Sequence, residues 1–173
     1  MPHPRTIIRH AVATLLRGAN TAAGARVFTT RVDPYRRPEL PALAVYTLDE
    51  SSEVIEGSSP RELKRTLQLA VEAEVAMAKN VDDVLDDLAL QIELALHQDP
   101  TWGGVAEDSN LDSTEIQVLG EQDKQVGVVR MVYQVTYLSN VPATPPELPD
   151  FLRASIDYDA SGATAHDTVK LEG

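Results

Sequence analysis

Apolar residues recur along this chain at two different periods, and the periods predict its elements. Between Arg5 and Ala19, the residues Ile7, Ile8, Ala11, Val12, Leu15, Leu16 and Ala19 fall at steps of one, three and four. That spacing puts them on one face of an amphipathic helix, and Gly18 and Asn20 mark its end. The stretch "ARVFTTRV" (25–32) is short and rich in β-formers, whereas "DPYRRPELP" (33–41) has three prolines and predicts a loop. "ALAVYTLDE" (42–50) alternates like a strand, and the polar "SSEVIEGSSP" (51–60) reads as a loop or the loose end of a hairpin. Residues 62–79 have a helix-like composition. From Leu67 to Met77, however, apolar residues occupy every second position, and period two predicts a long half-buried strand.

A second helix follows, with Asn80 as its expected N-cap. Its apolar face is Val81, Val84, Leu85, Leu88, Ala89, Ile92 and Leu96, and Pro100 lies beyond its end. "TWGGVAEDSN" (101–110) is a glycine-containing loop with the only tryptophan. "STEIQVLGE" (113–121) and "VGVVRMVYQVTYL" (126–138) are two strands joined as a hairpin through "EQDKQ". The second is apolar on both faces, which predicts a central place in a sheet or a partner on its outer side. "SNVPATPPELP" (139–149) has four prolines and reads as a semi-rigid linker. The remaining residues read either as an arm docking on a neighbouring subunit or as an unstructured tail. The expected fold is α+β: a mostly antiparallel mixed sheet with two helices packed on one face, plus an extended C-terminal arm. Residues 1–140 form the domain and 141–173 the linker and arm.

Composition narrows the classes of function. The chain of 173 residues is long enough to bury a core without staples, and it has no cysteine. That excludes disulfides, thiolate metal sites and a cysteine nucleophile. No run approaches the length of apolar residues that spans a bilayer. Arg9 and His10 interrupt the N-terminal apolar positions, which favours a helix over a secretory leader. The net charge of −12 opposes general binding to a phosphate backbone. Residues 1–37 nevertheless carry seven Arg against the single acid Asp33, a net +6, leaving −18 for the rest. Such polarity either suits head-to-tail association of copies or reflects scatter among solvated faces.

The densest titratable cluster is Asp82, Asp83, Asp86 and Asp87. On a helical wheel these acids lie opposite the stripe of Leu85, Leu88, Ile92 and Leu96, in the first two turns, where the helix dipole favours negative charge. A solvated or subunit-facing acidic surface explains them without a metal, and the alternative is a divalent-ion site made by Asp82, Asp86 and a partner. The four histidines share no ligand spacing, and the chain has no nucleophile elbow, phosphate loop or dinucleotide fingerprint. Glu72 and Glu74 sit two apart on one strand face, a poor arrangement for paired acid–base work. Trp102 either anchors a protein interface or covers one end of the core. The residues call for no cofactor and no metal, and they favour a subunit of an assembly over an enzyme.

The order of elements is similar to that of the tail-terminator family of long-tailed bacteriophages, the minor tail protein U-like proteins. The segments that carry the likeness are "RHAVATLL", "LPALAVYTLDE", "LQLAVEAEVAM", "DDVLDDLALQIELAL" and "LDSTEIQVLGEQDKQVGVVRMVYQVTYL", within residues 5–138. Residues 139–173 go beyond the compact form of the family. The resemblance implies a structural virion protein at the tail's neck end, assembled in the host cytoplasm. It would form a homo-hexameric ring capping the tail tube protein and meeting the head–tail connector protein. DNA would only pass through an acidic lumen, and no membrane would be involved. Candidate subunit or partner contacts are then Arg5, Arg9, Arg36, Arg37, Asp82, Asp83, Asp86, Asp87 and Trp102, with the loops 33–41, 51–60 and 101–110. The alternatives are another neck component, a monomeric ligand-binding module, or an enzyme using Asp82, Asp86 or Glu72.

Overall fold

A computed structural model describes residues 2–30, 34–56, 60–76, 79–119, 125–140, 153–160 and 163–170. The first helix, α1, spans Pro4–Gly18. Pro4 occupies its first turn, and the His3 ring accepts a hydrogen bond from the Arg5 amide at 3.2 Å, which caps the helix. Within the β-prone run 25–32, Val27–Phe28 form β1, and residues 31 and 32 lie outside the described residues. A single 3-10 turn, Arg37–Glu39, lies in the proline-rich loop. Then come β2 (Ala42–Glu56), β3 (Glu62–Ala76), helix α2 (Val81–His97), β4 (Asp108–Leu119) and β5 (Val126–Asn140).

These five strands form one sheet in the order β1-β2-β3-β5-β4, antiparallel throughout except for the β1–β2 pair. β5 lies inside the sheet, between β3 and the edge strand β4, which agrees with its two apolar faces. The register pairs Leu69 with Tyr133 and Val71 with both Met131 and Val45, so these side chains share one face. Ile8, Val12 and Leu16 of α1 and Leu85, Leu88 and Ile92 of α2 pack on that face and close the core. The α+β arrangement with both helices on one side is therefore present. Gly127 allows α2 to come close: a Cβ there would stand 2.5 Å from Val81 Cγ2 and 3.1 Å from Leu85 Cδ1.

Several expectations are corrected. The polar run 51–56 continues β2, because Ser51, Ser52 and Glu53 pair in register with Thr66, Arg65 and Lys64. A register shift between Thr47 and Glu50 re-aims the strand at this point. β3 starts at Glu62, five residues before the strict alternation, and β4 takes up residues 108–110 that read as loop. Asn80 stands at the N-cap of α2, but with φ −116° and ψ 41° its side chain makes no capping hydrogen bond. The apolar stripes are also wider than the surface the sheet covers, leaving Ile7, Leu15 and Val84 exposed.

The chain divides into two compact units, Met1–Val141 and Pro142–Gly173. The second contains an antiparallel hairpin of β6 (Arg153–Ala160) and β7 (Ala163–Lys170). The proline-rich linker from residue 141 onward lies outside the described residues, as do residues 57–59 of the expected 51–60 loop and residues 120–124 between β4 and β5.

Candidate functional site

Two polar clusters stand on the sheet, one on each face. On the helix side, where β2 and β3 run past the core, Glu50 is held in a nearly dry place, its side chain 7% exposed. Its Oε1 accepts from Arg65 Nη1 at 2.8 Å and its Oε2 accepts from the Tyr137 hydroxyl at 2.6 Å. Arg65 is opposite Tyr137 in the register, and its Nε donates to Ser139 Oγ at 2.8 Å. Arg5 of α1 reaches the same carboxylate at 3.8 Å, so the cluster ties the first helix to the strands. Burial pushes the Tyr137 phenol up, and its bond to Glu50 adds to the shift. Both oxygens of Glu50 and the Tyr137 hydroxyl are engaged, which fits a structural pin rather than a reactive group.

On the opposite face, Glu72 Oε2 accepts from Tyr46 at 2.7 Å and from Arg130 Nη2 at 2.8 Å and Nε at 2.9 Å. Desolvation, followed by the bond to Glu72, raises the Tyr46 phenol to about 12. The cluster borders a cavity of ≈ 550 Å³ at the edge of β2, lined by Arg9, Thr29, Tyr35, Tyr46, Glu72 and Glu74. The edge is accessible because β1 pairs with β2 only at Leu43 and Ala44. Arg9 is half-buried, and its Nε is buried with no hydrogen-bond partner among the described residues.

The residues expected at contacts fall in different places. Asp82, Asp83, Asp86 and Asp87 are all exposed on the outward side of α2, and no group of three or more His, Asp or Glu among the described residues could hold a metal ion. Arg5, Arg36 and Arg37 are exposed. The Arg36 amide donates to Glu39 Oε2 at 2.7 Å and closes the 3-10 turn. No ion pair joins these arginines to the α2 acids among the described residues. Trp102 covers one end of the core: it is 2% exposed, its Nε1 donates to Leu96 O at 3.2 Å, and its ring meets Tyr133 edge-on at 6.1 Å. The loop that places it turns on Asp99, whose carboxylate accepts from the Thr101 hydroxyl and the amides of Thr101 and Gly103. Those bonds, the Thr101 hydroxyl foremost, hold the Asp99 carboxyl below the usual range.

Sequence reasoning missed the Glu50 cluster, because Glu50 fell at the boundary between an expected strand and an expected loop. It also missed Leu90 and Leu94, which are 54% and 58% exposed on the outward side of α2. Further exposed apolar residues lie at the far end of the β2–β3–β5 ribbon (Leu48, Val54, Ile55, Leu138) and along the edge strand β4 (Ile116, Val118, Leu119). Among the described residues no helix is long and apolar enough to cross a membrane. Comparison with protein-family models gives no match, and comparison with curated proteins gives none.

Proposed function

We propose that this chain is a structural subunit that assembles with copies of itself into a ring, and that it acts as a tail terminator of a long-tailed bacteriophage. In this role it caps the tail tube, ends its polymerisation and presents a surface to the head connector. One observation carries the assembly part: large apolar side chains stand exposed on the two helices, at the ribbon end and on the edge strand β4. Scattered single residues of this kind are ordinary. Grouped on an edge strand and in one-turn pairs on a helix, they mark surfaces that other chains cover. The order of elements and its likeness to the tail-terminator family support the phage part, and the exposed acids of α2 suit a wall past which DNA slides.

Tail tubes grown with and without the purified chain test the reading. Tubes of limited length with extra density at one end are expected in electron micrographs. Tubes of unchanged length with bare ends overturn it. The cavity beside Arg9 and Tyr46 favours a second reading, a ligand-binding module. That reading predicts a stable monomer whose melting temperature rises with ligand.

A further inference from the structure

Four arginines bond through their guanidinium groups to the sheet and its loops. Arg17 and Arg26 donate to the carbonyls of Val27 and Pro41, and Arg65 and Arg130 donate to Glu50 and Glu72. Arg9 of α1 does not follow them. It is half-buried, its Nε is buried, and no described residue accepts from that nitrogen. No ion pair reaches Arg9 among the described residues either. Buried polar groups almost always have a partner, and leaving a charged one without any is costly. The space beside Arg9 is the cavity of ≈ 550 Å³ at the β2 edge. Its size falls within the roughly 300–1,000 Å³ of small-molecule sites.

The lining sets the chemistry of the ligand. Among the described lining residues Arg9 is the only cation, and a guanidinium pairs best with a negatively charged oxygen group. Glu72 and Glu74 stand in the same wall. They repel a second negative charge, which selects a carboxylate over a phosphate monoester. The Tyr46 hydroxyl donates to Glu72 and the Tyr35 hydroxyl donates to Leu43 O, so these two side chains offer a ligand their rings. Thr29 and Thr47 add hydroxyls to the wall. We propose that this cavity binds a small organic acid with one carboxylate and a flat, mostly apolar body. The carboxylate meets Arg9 and the body lies against Tyr35 and Tyr46. The proposal rests on the ligand-binding reading and deepens it by naming the class of ligand.

Amide chemical shifts of the full chain, titrated with benzoate, benzamide and phenyl phosphate, test it. Benzoate should shift the amides of Thr29, Ala44 and Thr47 and reach saturation. Benzamide, its neutral match, and phenyl phosphate, with its extra charge, should both bind more weakly. Arg9→Gln should weaken benzoate roughly tenfold to a hundredfold, the loss of a hydrogen bond to a charged group. Arg9→Lys should recover part of that loss. Tyr35→Leu keeps the charge and removes one ring; it should also weaken benzoate, and it stands in if Arg9→Gln does not fold. Benzamide binding as tightly as benzoate, or either variant binding benzoate like the parent, overturns the assigned ligand class and leaves the ligand-binding reading standing. Phenyl phosphate binding tighter than benzoate overturns the single charge. No saturable shift at these amides with any of the three compounds overturns both the ligand class and the cavity as a ligand site.

Discussion

Tyr133 and Tyr137 lie four residues apart on β5, face the same side of the sheet and are both buried. The same substitution, Tyr→Phe, should nonetheless change stability in opposite directions. The Tyr133 hydroxyl is buried with no hydrogen-bond partner among the described residues. A buried unsatisfied polar group costs about 1–3 kcal/mol, so Tyr133→Phe should be neutral or stabilise by ~1 kcal/mol. Its ring contact with Trp102 would be kept. The Tyr137 hydroxyl donates to Glu50 Oε2 at 2.6 Å. A hydrogen bond to a charged group contributes about 1.5–3 kcal/mol, and Tyr137→Phe should cost that amount. The gap between the variants is then ~3 kcal/mol, or roughly 1.5 M in urea midpoint at a slope of ~2 kcal/mol/M. Equilibrium urea unfolding followed by Trp102 fluorescence reads it directly. Equal losses in the two variants, or a Tyr133→Phe midpoint clearly below the parent, would refute the assignment of partners.

Three further outcomes follow from the packing and the titrations. Gly127→Ala places a methyl 2.5 Å from Val81 Cγ2, and such overpacking should cost about 1–3 kcal/mol in the same urea assay; an unchanged midpoint would mean that α2 does not rest on β5 there. Asn80→Ala should change stability by less than ~0.5 kcal/mol, against about 0.5–2 for an N-cap whose side chain is bonded. A larger loss would show a cap bond that the geometry lacks. Burial raises Tyr133 and Tyr137, and burial with Glu72 raises Tyr46 to about 12. Unfolded tyrosines ionise near ~10, so the folded chain holds these protons longer. That contribution to stability is fully present below ~pH 10 and is lost as pH rises toward the native values. An ultraviolet titration should show these three of the five tyrosines resisting ionisation until the chain unfolds, and five ordinary titrations would contradict it.

The sequence pattern carried the fold class because most elements have strong periods. Leu67–Met77 alternates without a break and outweighs its helix-like composition, and the strand it predicts is β3. The stripes of α1 and α2 are equally plain. What stayed hidden depends on pairing at a distance. Ser51, Ser52 and Glu53 have loop-like chemistry, yet they extend β2 because β3 offers a partner strand in register. Asn80 has the right identity for a cap but the wrong backbone angles to act as one. Trp102 left two readings open until Leu96 O and the Tyr133 ring were seen to receive it. The Glu50 cluster joins α1, β2, β3 and β5, and no local spacing announces such a meeting. Leu90 and Leu94 were hidden for a different reason. The later half of α2, "LALQIELAL" (88–96), has apolar residues on most sides and does not say which of them the sheet will leave bare.

Native mass of the purified chain over a wide range of concentration, with negative-stain images of the same samples, tests the central claim most directly. The account predicts a closed ring of copies, about six by the family likeness, with a mass that stops growing once the ring is complete. A chain that remains a monomer at every concentration, with no ring in the images, would contradict it.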